Sequence, residues 1–125
     1  MKKLNLRRCN KCGAMVEVLE DCKCENCGIK CCGETMSEVA ENNKEFSFEK
    51  HMPEYEVVGN FIVATVNHVM EDAHYIEYIA LVGDKINAKK YFKAGENAKA
   101  VFPYVKGATL YAYCNIHGLW SKQID

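Results

Sequence analysis

Near the end of this 125-residue chain, the motif CNIHG places a thiol, Cys114, three positions before an imidazole, His117. Seven of the eight cysteines lie between Cys9 and Cys32, so Cys114 stands apart from all the others. The chain's four histidines, His51, His68, His74 and His117, share its later part, each beside a turn signal or strand end: EKHMP, VNHVMEDAHY and CNIHG. A lone histidine is more often a surface or hydrogen-bonded core residue. Four together with an isolated thiol form a donor set with the chemistry of a transition-metal site. The five-residue gap between His68 and His74 suits a loop rather than one face of a helix.

The cysteine-rich front of the chain holds a second donor set. In CNKC, two residues between Cys9 and Cys12 let a tight turn point both sulfurs at one ion. Two candidates compete to complete a tetrahedron: CENC, with Cys24 and Cys27, has the spacing of a zinc-ribbon half-site, and the adjacent pair Cys31 and Cys32 offers two more thiols. Neighbouring side chains tend to diverge, which counts against the adjacent pair on geometry alone.

These donors need elements to position them. The first ~40 residues hold few large apolar side chains, and so small a unit seldom folds without a staple such as a metal. MVEVLE alternates as a short strand does, and EVAENNK, residues 38–44, is polar and unpatterned, as expected of a linker. From Tyr55 onward, EVVGNFIVATVN, AHYIEYIALVGD, KKYFKAG, AKAVFPYVKG and ATLYAYCN are rich in β-branched and aromatic residues and separated by Gly, Asn and Pro. The fold class expected is all-β, with a metal module over residues 1–40 and an antiparallel, immunoglobulin-like β-sandwich or a small barrel over residues 41–125. Loops at one end of a sandwich can gather the histidines while the sheets hold them in place.

Composition narrows the functional classes. Residues through Ala40 carry seven basic and six acidic side chains and the remainder nine and eleven, so neither part offers the cationic face of a nucleic-acid binder. The basic opening MKKLNLRR is followed by no apolar run before Cys9, which speaks against a secretory signal. Asn67, Glu77 and Gly83 interrupt the most apolar stretches well short of the ~18 residues that suggest a membrane helix. The expectation is a cytoplasmic protein with no membrane and no nucleic-acid partner. In a reducing compartment, cysteines more often bind metal or do redox chemistry than form disulfides.

CNKCG followed by CCGETM resembles the desulforedoxin module at the front of desulfoferrodoxins, in which a CxxC pair and a vicinal CC pair hold one iron. The resemblance implies Cys9, Cys12, Cys31 and Cys32 as ligands of iron or, since four thiolates accept either, of zinc. This chain departs from the pattern in a longer stretch between the pairs, carrying Cys22, Cys24 and Cys27. EKH followed by Pro, NH…HYI and CN-x-HG match superoxide reductase, the catalytic part of the same family, in order and at about its spacing. That match implies a mononuclear iron with four imidazoles, from His51, His68, His74 and His117, and an axial thiolate from Cys114. It further implies superoxide as substrate, hydrogen peroxide as product without dioxygen, Lys50 as the cation that attracts the anion, and Glu49 as a group able to reach the iron. A rubredoxin-like electron donor and a homodimer are implied as partners.

Three other functions fit parts of the sequence. An electron carrier would work through the cysteine site alone, and a zinc-ribbon structural protein would use the same thiols without redox chemistry. Thiol-disulfide exchange by CENC lacks the βαβ setting such motifs usually occupy.

Overall fold

The computed structural model describes residues 2–25, 28–42 and 51–125, which form two compact units, Leu4–Ala40 and Met1–Lys3 with Glu41–Asp125. Thirteen strands lie among the described residues, and the architecture is all-β.

In the smaller unit, β1 (Leu6–Arg8) pairs antiparallel with β2 (Met15–Glu17), while β3 (Lys30–Cys31) and β4 (Glu34–Thr35) form a ribbon; β5 (Ser37–Glu38) adds to the free side of β1. Its buried apolar residues are few: Leu4, Leu6, Cys9 and Met36. Leu19 remains largely exposed. So small a core contributes little stability, and the cluster of thiols described below is where a metal staple would act.

The larger unit is a two-sheet sandwich. One sheet runs β10-β9-β12-β13-β6, built from β6 (Glu41–Asn42), β9 (Ile76–Val82), β10 (Asn87–Tyr91), β12 (Thr109–Cys114) and β13 (Gly118–Gln123). The other runs β11-β8-β7, from β7 (Glu54–Val58), β8 (Phe61–Thr65) and β11 (Lys99–Pro103). On β8 and β11 burial alternates residue by residue: Ile62, Ala64, Ala100 and Phe102 turn inward while Phe61, Thr65, Lys99 and Val101 face out. They pack with Ile76, Ile79, Leu81, Leu110 and Ala112 of the opposing sheet in one core. Such two-period burial is what a half-buried strand requires.

Two features differ from the sequence expectation. Residues 38–44 do not all behave as a linker: Glu38 ends β5, and β6 joins the edge of β13 in the sandwich's single parallel pairing among the described residues. The segment GLWSKQ also forms a full strand, β13, held by six antiparallel pairs to β12. Backbone groups of an unpaired sheet edge seek partners, and these polar stretches supply them without any strong β-signal of their own.

A register shift between β9 and β12 bears directly on function. Pairing runs regularly to Tyr113 opposite Tyr78 and then jumps to Cys114 opposite Ile76. Strict alternation from Leu81 and Ile79 would send Glu77 into the core; the bulge delivers Ile76 there instead and keeps Cys114 beside it, fully buried at the end of the inward face of β12.

Leu110 is fully buried at the centre of this face. Leu110→Ala is expected to lower unfolding free energy by about 2–5 kcal/mol in a urea titration; a loss below about 1 kcal/mol would mean that the two sheets do not share one tight core.

Candidate metal centre

His51, His68, His74, Cys114 and His117 come together at one end of the sandwich, each with one donor atom, all within 4.8 Å of one another. Their supports are separate. Cys114 ends β12 and His117 follows in the turn to β13, where Gly118 takes a left-handed φ of +90° that few side chains tolerate. A Cβ there would stand 3.2 Å from the Asn42 side-chain nitrogen, which itself donates to the His117 carbonyl at 2.6 Å. His68 and His74 lie on the loop from β8 to β9, closed into a tight turn by reciprocal backbone bonds between Glu71 and His74. His51 is buried, with its ring stacked on Trp120 at a centroid separation of 4.9 Å and an interplanar angle of 11°.

The four rings form a near square. Neighbouring centroids are 4.7 Å apart for His51 and His68, 4.5 Å for His68 and His74, 4.9 Å for His74 and His117, and 4.6 Å for His117 and His51; the His51–His74 diagonal is 6.3 Å. Cys114 Sγ lies 3.6 Å from His68 Nε2 and 3.7 Å from His117 Nδ1, nearly equidistant from two opposite corners of the square. His117 Nδ1 approaches His51 Nε2 at 2.9 Å and His74 Nε2 at 3.2 Å. Imidazole nitrogens about 2.1 Å from one cation at right angles would stand about 3.0 Å apart, so the spacing fits one metal ion shared by these nitrogens with the Cys114 sulfur beside them.

Electrostatics favour the metal-binding forms. His68 Nδ1 donates to the Val69 carbonyl at 2.5 Å, leaving Nε2 with a free lone pair directed toward Cys114. Burial pushes the His68 pKa down, which keeps the imidazole neutral. The backbone N–H of His117 donates to Cys114 Sγ at 3.4 Å. Imidazole nitrogen with one soft sulfur suits iron, zinc or copper, whereas calcium and magnesium seek oxygen.

The second cluster joins Cys9, Cys12, Cys31 and Cys32, again within 4.8 Å. Cys12 N–H donates to Cys9 Sγ at 3.5 Å, and the backbone amides of Cys12 and Lys11 hold the Cys9 pKa down at about 7. Cys31 is pushed up to about 12, chiefly by side-chain hydrogen bonding with Cys12, then with Cys9 and Cys32, while burial and charge repulsion from Cys12 add less. A cation relieves that repulsion. The objection to the adjacent pair is answered by the backbone: Cys32 adopts a left-handed φ of 54°, a conformation costing an L-residue roughly 1–2 kcal/mol, and its sulfur lies 3.9 Å from that of Cys31. Four thiolates fit iron and zinc alike.

Of the three extra cysteines, Cys24 is free and exposed and takes no part in this cluster, and Cys22 is engaged in a disulfide. Cys27 lies outside the described residues, as do Glu49 and Lys50. Trp120 and Asn115 are site residues that motif reading passed over. The former could have been suspected as the only tryptophan, two positions past the HG of CNIHG.

Known proteins supply the remaining finding. The family model for desulfoferrodoxin matches residues 43–123. The desulfoferrodoxin of Syntrophotalea carbinolica is 35% identical over 126 residues, covering 98% of each chain. This chain belongs to the desulfoferrodoxin family. Its fold is similar to that of the superoxide reductase from Treponema pallidum, with a TM-score of 0.72 at 22% identity over 97% of this chain and 98% of that one. The one-iron superoxide reductase from Giardia intestinalis, 28% identical, gives 0.52 over 58% of this chain and 94% of its own. The two donor sets are consistent with the family's two sites, the five-donor iron centre and the desulforedoxin-like four-cysteine centre.

Among the described residues, Trp120 Nε1 is buried without a hydrogen-bond partner, and its ring lies flat on His51, so the single tryptophan reports directly on this site. Anaerobic ferrous titration is expected to quench its fluorescence, and His51→Ala to abolish most of the response. Quenching that survives His51→Ala would place the metal elsewhere.

Proposed function

We propose that this chain is a superoxide reductase, catalysing superoxide plus one electron and two protons to hydrogen peroxide without releasing dioxygen. The observation that carries this reading is the square of four imidazoles with the Cys114 sulfur within 3.7 Å of two opposite corners. Iron held by His51, His68, His74, His117 and Cys114 would supply the single electron, and the Cys114 thiolate, an electron-rich ligand, would favour its transfer to superoxide. Kinship with the desulfoferrodoxins and the likeness to the Giardia intestinalis enzyme support the same reaction.

The chain's own groups divide the remaining work. His51, His68, His74, His117 and Cys114 would hold the iron. Lys50, next to His51 in the chain, would draw the anion toward that site and stabilise the developing peroxide charge; such focusing raises association rates by ~10-fold or more and weakens with salt. Glu49 would approach the same site when the substrate is absent. Residues 41–125 would carry this chemistry and residues 1–40 a four-cysteine iron or zinc centre on Cys9, Cys12, Cys31 and Cys32. The family resemblance also supports a homodimer working in the cytoplasm with a rubredoxin-like protein returning the electron. No helix among the described residues is long and apolar enough to cross a membrane.

Pulse-generated superoxide mixed with the anaerobically iron-loaded protein is the direct test. One peroxide per superoxide consumed and no dioxygen is the expected stoichiometry; half a dioxygen per superoxide would indicate dismutation instead. Cys114→Ser should lose both the thiolate-to-iron absorption and the reductase activity, and retention of both would point to another axial ligand. Lys50→Ala should slow superoxide capture about tenfold and flatten its salt dependence with the iron still bound; an unchanged second-order rate would remove Lys50 from the mechanism.

A further inference from the structure

We propose that Asn115 is a positioning residue that locks three of the five donors, Cys114, His117 and His74, into one rigid body. The inference rests on the reading that these donors hold iron, and it concerns how the chain holds them in register. Asn115 sits in the turn between Cys114 and His117, yet its bonds reach across to the loop that carries His74. Its backbone N–H donates to the Tyr75 carbonyl at 3.2 Å. Its side-chain oxygen accepts the Tyr75 N–H at 2.9 Å, and its side-chain nitrogen donates to the Ala73 carbonyl at 3.1 Å. The residues on both sides of His74 are thus tied to the residue between the other two ligands.

The topology explains why a side chain is needed here. The regular ladder between β9 and β12 breaks at the register shift beside Cys114, which leaves the Ala73 carbonyl and the Tyr75 N–H beyond its reach. The Asn115 amide supplies one acceptor and one donor at the spacing of a peptide group and so extends the ladder past the break. Its orientation is set by its partners: an N–H must meet the oxygen and a carbonyl must meet the nitrogen. His74's own backbone groups are consumed within the loop by Glu71, so they cannot anchor it to the turn. The Asn115 clamp is therefore what sets the 3.2 Å approach of His74 Nε2 to His117 Nδ1.

Asp and Ala separate the two halves of the clamp. Asn115→Asp keeps an acceptor for Tyr75 N–H but faces the Ala73 carbonyl with a second oxygen, and Asn115→Ala removes both bonds. Ferrous affinity is measured anaerobically by chelator competition, followed through Trp120 fluorescence, alongside the energy of the thiolate-to-iron absorption and the unfolding midpoint of the metal-free protein. Removing a group that orients metal ligands typically weakens binding 10–100-fold. Asn115→Ala is expected to fall in that range with a shifted absorption, and Asn115→Asp to lie between it and the parent. Parental affinity and absorption in Asn115→Ala would overturn the proposal, as would weakened affinity fully matched by unfolding of the metal-free protein. If Asn115→Ala does not fold, Asn115→Asp decides alone, and parental affinity there overturns it. Failure of the parent protein to load iron at this site is a separate outcome: it sinks the metal reading and this proposal with it.

Discussion

Five lone pairs crowded into one small volume are the constraint on which the rest of this structure depends. Four imidazole nitrogens and a thiolate sulfur within 4.8 Å repel one another unless a proton or a cation sits among them. A fold that merely needed stability would replace such a cluster with apolar side chains, since buried polar groups stabilise only when each finds a partner. The donors are instead held together from independent directions, and the spacing of their atoms matches the demands of one metal ion.

The sandwich does this through irregularities at its end rather than through its regular core. A bulge beside Glu77 keeps Cys114 on the inward face. A left-handed glycine lets the β12–β13 turn close tightly enough to present His117, and Trp120 fixes the plane of His51 by stacking. Asn115 then carries the ladder across the break toward His74. Each feature costs regular hydrogen bonding or backbone freedom, and each borders a donor. The paired interior of Ile62, Ile79, Leu81 and Leu110 provides the stability against which these irregularities persist.

Much of this was legible in the amino-acid sequence, for identifiable reasons. The alternation around FIVAT and KAVFP and the turn glycines between apolar runs are local signals, so the strands of the larger unit could be read directly. The donors were legible by type and scarcity: four histidines and one stranded cysteine had few other uses. The Cys31–Cys32 pair was not, on residue chemistry alone, because the left-handed backbone at Cys32 that brings the sulfurs together leaves no mark in composition; family resemblance supplied that pair. The parallel edge β6, the bulge, the Trp120 stack and the Asn115 clamp all depend on partners distant in sequence. Periodicity carries no information about such partners.

The central claim is that folding alone brings these five atoms around a single ion. Diffraction from crystals of anaerobically iron-loaded protein, collected on both sides of the iron absorption edge, tests it most directly. The account predicts an anomalous peak within bonding distance of Nε2 of His51, His68 and His74, Nδ1 of His117 and Sγ of Cys114, separate from any peak at the four-cysteine cluster. Iron at the four-cysteine cluster alone, with the imidazoles unligated, would contradict it.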